Sequence, residues 1–206
     1  MNTLEQHWQH LTAKYSGNDK LRHAAWDEIE TAYSHKSRHY HNLQHLEYMM
    51  GLVRLYEADI ANVDTMLFTI YYHDIVYNIA SQDNELKSAE LAVNRLESLA
   101  VPDEQIKQCR KQIMATKDHE FCTDQDSQYL VDIDLAILGE QHDEYETYAK
   151  KIRKEYQVYP FFLYKQGRKK VLEHFLNMER IYKTQALYQS REQQARANLQ
   201  WELNSL

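Results

Sequence analysis

A histidine and an aspartate stand side by side near the end of an otherwise apolar run, in Tyr71-Tyr72-His73-Asp74-Ile75-Val76-Tyr77. Met66, Leu67, Phe68 and Ile70 come before the pair, so the run that carries it heads into a core. A carboxylate placed there is strongly destabilising unless something compensates its charge. A divalent metal ion does so and uses the imidazole as well. The ordinary alternative for so short a motif is a capped histidine beside a buried ion pair.

Two other segments carry matching donors. His45 lies at the edge of the apolar stripe Leu46, Met49, Met50 and Val53, one turn after His41. In Asp132-Ile133-Asp134 the two aspartates point about 200° apart on a helix, so only one of them can face a given site. Asp134 has Leu130, Val131, Ile137 and Leu138 one turn away on its own face. It is therefore the carboxylate expected to be buried, and it needs a cation as partner, either a metal ion or a Lys or Arg.

These residues must be positioned by helices. Only 4 Gly and 2 Pro among 206 residues leave too few turn formers for a hairpin-rich fold, and the supply of Leu, Glu, Gln, Lys and Ala favours an all-α chain. Apolar periodicity predicts helices over Leu4 to Tyr15 and Lys20 to Tyr33, with Ser16 to Asp19 as the turn between them. The next runs from Leu43 to Tyr56, capped by Asn42, and the helix Val63 to Tyr77 carries the central pair. Asn78 to Asp83 is a polar loop, followed by helices over Glu85 to Leu99 and from Pro102 to about Thr116. Ser127 to Leu138 is closed by Gly139, placed where a left-handed residue is wanted. Three more helical patterns cover Asp143 to Val158, Arg168 to Asn177 and Arg191 to Leu203.

The formal charge of −7, from 31 acidic and 24 basic residues, argues against bulk nucleic-acid binding but leaves room for a local phosphate site. The first residues, Met1 to His7, lack the basic and apolar regions of a secretory leader, and no run approaches the roughly 18 apolar residues of a membrane span. A soluble, cytoplasmic protein with no membrane partner is expected. Cys109 and Cys122 form neither a disulfide framework nor a metal knuckle and read as reduced thiols without a role.

The order His45, then His73 with Asp74, then Asp134, on three separate helices, resembles the HD superfamily of metal-dependent phosphohydrolases. The likeness covers roughly Arg38 to Gly139. Within it, His41-Asn42-Leu43-Gln44-His45 is similar to the family's first-histidine helix, His73-Asp74 to its namesake pair, and Asp132-Ile133-Asp134-Leu135 to its closing segment. It is closer to a branch of predicted HD hydrolases with no assigned substrate. The resemblance implies one all-helical domain over residues 1–206, with an HD-like core about 38–139 and C-terminal helices 143–203 packing on it. It also implies one divalent ion held by His45, His73, Asp74 and Asp134.

Two imidazoles and two carboxylates suit Mn, Fe, Co, Ni or Zn better than Mg. Such a site hydrolyses a phosphoester through a metal-activated water. The expected partner is a small phosphorylated substrate, such as a nucleotide. Asp74 would serve both metal and catalysis. The nucleotidase-like and alarmone-hydrolase-like branches carry a glutamate three residues after the His-Asp pair, where this chain has Tyr77; the nearest substitute by sequence is Glu85, itself an ordinary charge for a first helical turn.

Candidate substrate contacts are Arg38, Asn42, Asn78 and Arg168, with Arg153 a weaker one. The basic stretches that hold Arg153 and Arg168 also read as solvated faces. His119 lies in a loop where two-metal members of the superfamily carry additional histidines. A di-iron bundle would need Glu-x-x-His on two helices, and a zincin His-Glu-x-x-His; neither occurs here. The remaining alternatives are a non-catalytic HD domain acting as a nucleotide or metal sensor, which Tyr77 favours, and a purely structural helical protein.

Overall fold

The structure is a computed structural model that describes residues 3–117 and 122–206. Among the described residues the chain is all-α, with no strand. Its helices are α1 (Thr3–Ala13), α2 (Asp19–Tyr33), α3 (Leu43–Leu55), α4 (Val63–Tyr72), α5 (Asn84–Ser98), α6 (Asp103–Ala115), α7 (Gln125–Asp134), α8 (His142–Glu155), α9 (Phe161–Asn177) and α10 (Gln185–Ser205). Short 3-10 turns occupy Glu57–Asp59 and Leu135–Gly139. None of these helices is long and apolar enough to cross a membrane. His119 lies outside the described residues.

The starts of the helices follow local chemistry. Asn18, Asn42, Asn62 and Thr184 each stand at an N-cap, and their side-chain oxygens accept from Leu21, Gln44, Thr65 and Leu187 amides. The ends depart more from expectation. α4 stops at Tyr72, and His73 is its C-cap, because the next amides leave the helical ladder, that of Asp74 for the Tyr33 hydroxyl and that of Val76 for the Ser88 hydroxyl. The pair thus sits just beyond the helix. α9 and α10 begin at Phe161 and Gln185, earlier than the periodicity of their polar halves indicates.

Gly139 is not left-handed, as no glycine among the described residues has positive φ. Its smallness is needed for another reason: a Cβ there would lie 2.6 Å from Arg191 Cβ and 2.9 Å from Tyr182 Oη. The left-handed residue is Ala100, with φ 60°, just past α5. The Val101 amide donates to Leu96 O and the Ala100 amide to Glu97 O, both at 3.0 Å, which is the Schellman closure. A Cβ in that conformation is destabilising by about 1–2 kcal/mol. Ala100→Gly is therefore expected to raise stability by about 1 kcal/mol, read as a melting temperature roughly 2–4 °C higher; a lower one would show that the strain is relieved locally.

The chain divides into two compact units, residues 1–130 and 131–206. The core of the first unit is aromatic. α4 is buried on every side from Thr65 to Tyr72. Trp8 meets Tyr71 at 5.0 Å and Tyr72 at 5.9 Å between ring centroids, both edge-on, the arrangement that ring quadrupoles favour. The polar ends of two of these rings are satisfied: Trp8 Nε1 donates to Arg22 O and Tyr71 Oη to Leu4 O, each at 2.9 Å, whereas the Tyr72 hydroxyl is buried without a hydrogen bond among the described residues. Cys109 is buried here, and desolvation pushes its thiol up to about 12, so it is an inert core residue.

Beside Leu172, Leu187 and Leu199, the second unit buries charged side chains. Arg168 on α9 makes a two-pronged pair with Glu202 on α10, Nε to Oε1 at 2.7 Å and Nη2 to Oε2 at 2.8 Å, and both side chains are buried. Tyr145 Oη donates to the same carboxylate. Glu192 takes the amides of Ile181 and Tyr182, ordering the approach to α10.

Candidate metal centre

The site is built in the first unit. Asn42 starts α3, and three positions later His45 points inward beside Leu46; it is 3 % exposed. His73, 1 % exposed, caps the fully buried α4, and Asp74 follows it half-buried. One donor atom from each of His45, His73 and Asp74 lies within 4.8 Å of the others. The two imidazole rings are 5.4 Å apart between centroids. His73 Nε2 lies 3.4 Å from Asp74 Oδ2.

The orientation of His73 is fixed by its other nitrogen. Nδ1 is 2.9 Å from Ile70 O, a carbonyl that can only accept, so Nδ1 carries a proton and Nε2 is the nitrogen turned toward the carboxylate. A metal-bound histidine is held in the same way, by a hydrogen bond on the far side of the ring. Three ligand atoms about 2.0–2.2 Å from one ion lie about 3–4 Å apart, so the side chains would close on the ion from their present spacing to hold it. The donor set of nitrogen and oxygen fits a divalent ion.

Arg38 holds the frame around the pair. Its guanidinium is buried and donates from Nη1 to His41 O at 3.2 Å and to Asp74 O at 2.7 Å, and from Nη2 to Ile75 O at 2.9 Å. The sequence placed Arg38 as a phosphate contact; the structure spends its terminal nitrogens on carbonyls of the segment before α3 and of the His73-Asp74 segment. Tyr33 assists: its hydroxyl accepts from the Asp74 amide at 3.2 Å, and its ring lies 4.8 Å from the Arg38 guanidinium carbon. The Tyr77 ring centre lies 5.3 Å from the Arg38 guanidinium carbon and 4.4 Å from the His41 ring centre.

His41 is the residue that sequence reasoning passed over. Its Nε2 is 3.9 Å from Asp74 Oδ2, so the carboxylate faces imidazoles from two directions. Its place one turn ahead of His45 was the available signal.

No protein-family model, curated protein or solved structure matches this chain.

The other predicted residues are distributed as follows. Asn42 is spent as a cap, accepting from the Gln44 amide at 2.9 Å and donating to His39 O at 3.1 Å. Asn78 shapes the loop before α5, accepting from the Ala80 amide and receiving the Asn84 side chain on its own carbonyl. Glu85 is half-buried in the first turn of α5. Three residues later, on the same face, Ser88 bonds both the amide and the carbonyl of Val76, so this face of α5 lies against the segment that follows Asp74. Glu85 is not a member of the three-residue group. Arg168 belongs to the buried pair with Glu202 in the second unit, and neither a substrate contact nor a solvated face describes that environment.

The expectation for the paired aspartates is reversed. Asp132, not Asp134, is the fully buried carboxylate, while Asp134 is half-buried. Asp132 Oδ1 accepts from the Lys183 amide at 2.7 Å, and Oδ2 accepts from the Thr184 amide at 2.7 Å and its hydroxyl at 2.6 Å. Burial pushes its carboxyl up to about 6 in spite of these donors. Its compensation comes first from the Thr184 hydroxyl and the Lys183 and Thr184 amides, with the Lys183 charge a smaller contribution. The helical phase also changes here, because α7 ends at Asp134 and a 3-10 turn follows.

Proposed function

We propose that this chain is a metal-dependent phosphohydrolase of HD type that cleaves a nucleotide or other small phosphoester through a metal-activated water. The observation that carries the reading is the convergence of His45 with the adjacent pair His73 and Asp74, from separate parts of the chain, onto one point where both histidines are buried and His73 Nε2 is turned toward the group. A divalent ion held by these residues would lower the pKa of a water and neutralise charge on a phosphoryl group. The protein contributes the ligands, the buried walls that weaken competition from solvent, and the Arg38 and Tyr33 contacts that hold Asp74 in place. The sequence argument adds Asp134 as a fourth ligand. Glu85, carried on the face of α5 that packs beside Val76, is the proposed base for the water.

A sensor is the second reading. Tyr77 stacks on His41 where related branches carry an acid, and that arrangement favours a domain that binds without turnover.

Metal analysis of the purified protein followed by a panel of phosphomonoesters and phosphodiesters tests both readings. Loss of a positioned base lowers rate by about 10²–10⁴. Glu85→Gln is therefore expected to keep metal and fold and to lose turnover by that order. Activity equal to the parent in Glu85→Gln would remove Glu85 from the mechanism and leave the hydrolase. A metal-loaded protein that binds nucleotide yet cleaves nothing in the panel would replace the hydrolase with the sensor.

A further inference from the structure

The second unit displays an apolar tip that its own fold leaves uncovered. Phe161, Phe162 and Leu163 open α9 with 58, 62 and 45 % of their surface exposed, and Val158 in the preceding turn is 73 % exposed. Three consecutive residues span about 200° of a helix, so exposure of all three means that the start of α9 protrudes. The tip is also held rigidly. Arg153 donates from Nη1 to Tyr156 O at 2.9 Å and from Nη2 to Tyr159 O at 3.3 Å, and its guanidinium carbon lies 4.7 Å from the Tyr164 ring centre and 6.0 Å from that of Phe161. Side chains of this size, fixed in water at a helix start, need a reason outside the unit.

Charge around the tip identifies the surface it fits. Residues 150–170 carry eight Lys and Arg against one acid, Glu155, in a chain whose net charge is −7. Of these, Arg168 is buried against Glu202, whereas Lys165, Lys169 and Lys170 are exposed on α9 behind the tip. At 1.5 Å per residue they lie about 4.5 to 12 Å along the axis from Phe162. An amphipathic segment seats its apolar side chains about 5–10 Å into the boundary between headgroups and acyl chains, which puts these ammonium groups at phosphate depth.

We propose that the 156–160 turn and the exposed side of α9 dock on an anionic phospholipid surface, with Phe161, Phe162 and Leu163 inserted and Lys165, Lys169 and Lys170 on lipid phosphates. A convex apolar tip needs no complementary groove in a lipid layer. A second copy of the chain is a poorer fit, because a two-fold contact would set the same lysines against themselves. Hydropathy along the sequence could not show this surface, since peripheral binding needs only a few apolar residues placed together and backed by charge.

The experiment is co-sedimentation of the full chain with phosphatidylcholine vesicles and with vesicles that also contain phosphatidylserine. The protein is expected to pellet with the anionic vesicles at about 0.1 M salt, to release at about 1 M salt, where screening falls to about 3 Å, and to ignore phosphatidylcholine alone. The double variant Phe161→Ser with Phe162→Ser and the triple variant Lys165→Glu, Lys169→Glu, Lys170→Glu should each lower partitioning at least about tenfold with an unchanged melting curve. The proposal is overturned if the parent chain stays in solution with anionic vesicles, or if both variants pellet as it does. It is equally overturned if Phe161 and Phe162 prove to mediate only self-association in sedimentation equilibrium, or binding only to an acidic polypeptide such as polyglutamate.

Discussion

His73→Ala and Asp74→Ala are each expected to emerge from purification with most of their bound divalent metal gone and with phosphoester turnover at background. The reason is geometric. The donor atoms of His45, His73 and Asp74 lie within 4.8 Å of one another, and deleting one of them leaves too few for an ion to shed its water. His73 contributes doubly, since its Nδ1 bond to Ile70 O presents Nε2 to the site. Elemental analysis of the variants beside the parent reads the result directly, and full metal retention in both would end the assignment. Two controls sharpen it. Asp132→Asn is expected to keep its metal, because both oxygens of Asp132 are committed to Lys183 and Thr184. Asp134→Asn tests the fourth ligand implied by the sequence resemblance, and unchanged metal content there would reduce the protein's own ligands to three.

The largest effect on stability is expected at Glu202. Its carboxylate is the buried counter-ion of Arg168 and accepts from Tyr145 as well. Glu202→Ala would strand a guanidinium that is 8 % exposed, and an uncompensated buried charge is destabilising by about 3–5 kcal/mol. For a chain of this length that is a fall of roughly 6–20 °C in melting temperature. The pair itself is a different matter. Replacing Arg168 by Met, Glu202 by Leu and Tyr145 by Phe together removes the charges and the Tyr145 hydroxyl at once, while the Tyr148 hydroxyl loses its bond to Arg168, and such exchanges of a buried pair are often neutral or stabilising. A triple variant as damaged as Glu202→Ala would show that the pair also sets the geometry of α9 against α10. An undamaged Glu202→Ala would mean that Arg168 finds water or another partner within the unit.

How the chain becomes helical was legible in its residues because the causes are local. The scarcity of Gly and Pro, the cap at Asn42 and the periodicity of Leu46, Met49, Met50 and Val53 act within one or two turns. So does the adjacency of His73 and Asp74 at the end of a run without a polar face, and the structure buries that run from Thr65 to Tyr72. What the neighbours of each residue would be was decided only by tertiary structure. Asp132 and Asp134 were separable by helical phase alone as long as the helix continued, but α7 gives way to a 3-10 turn and amides fifty residues downstream claim Asp132. Gly139 reads as a left-handed cap until Arg191 and Tyr182 arrive against it, while Ala100 takes the left-handed role that composition would give to glycine. Arg38 and Arg168 look alike in sequence, as cations ready for phosphate. One is drawn into carbonyls of the His-Asp segment and the other into a buried carboxylate, because a guanidinium takes whichever oxygens the fold brings within about 3 Å, and those come from residues 36 and 34 positions away.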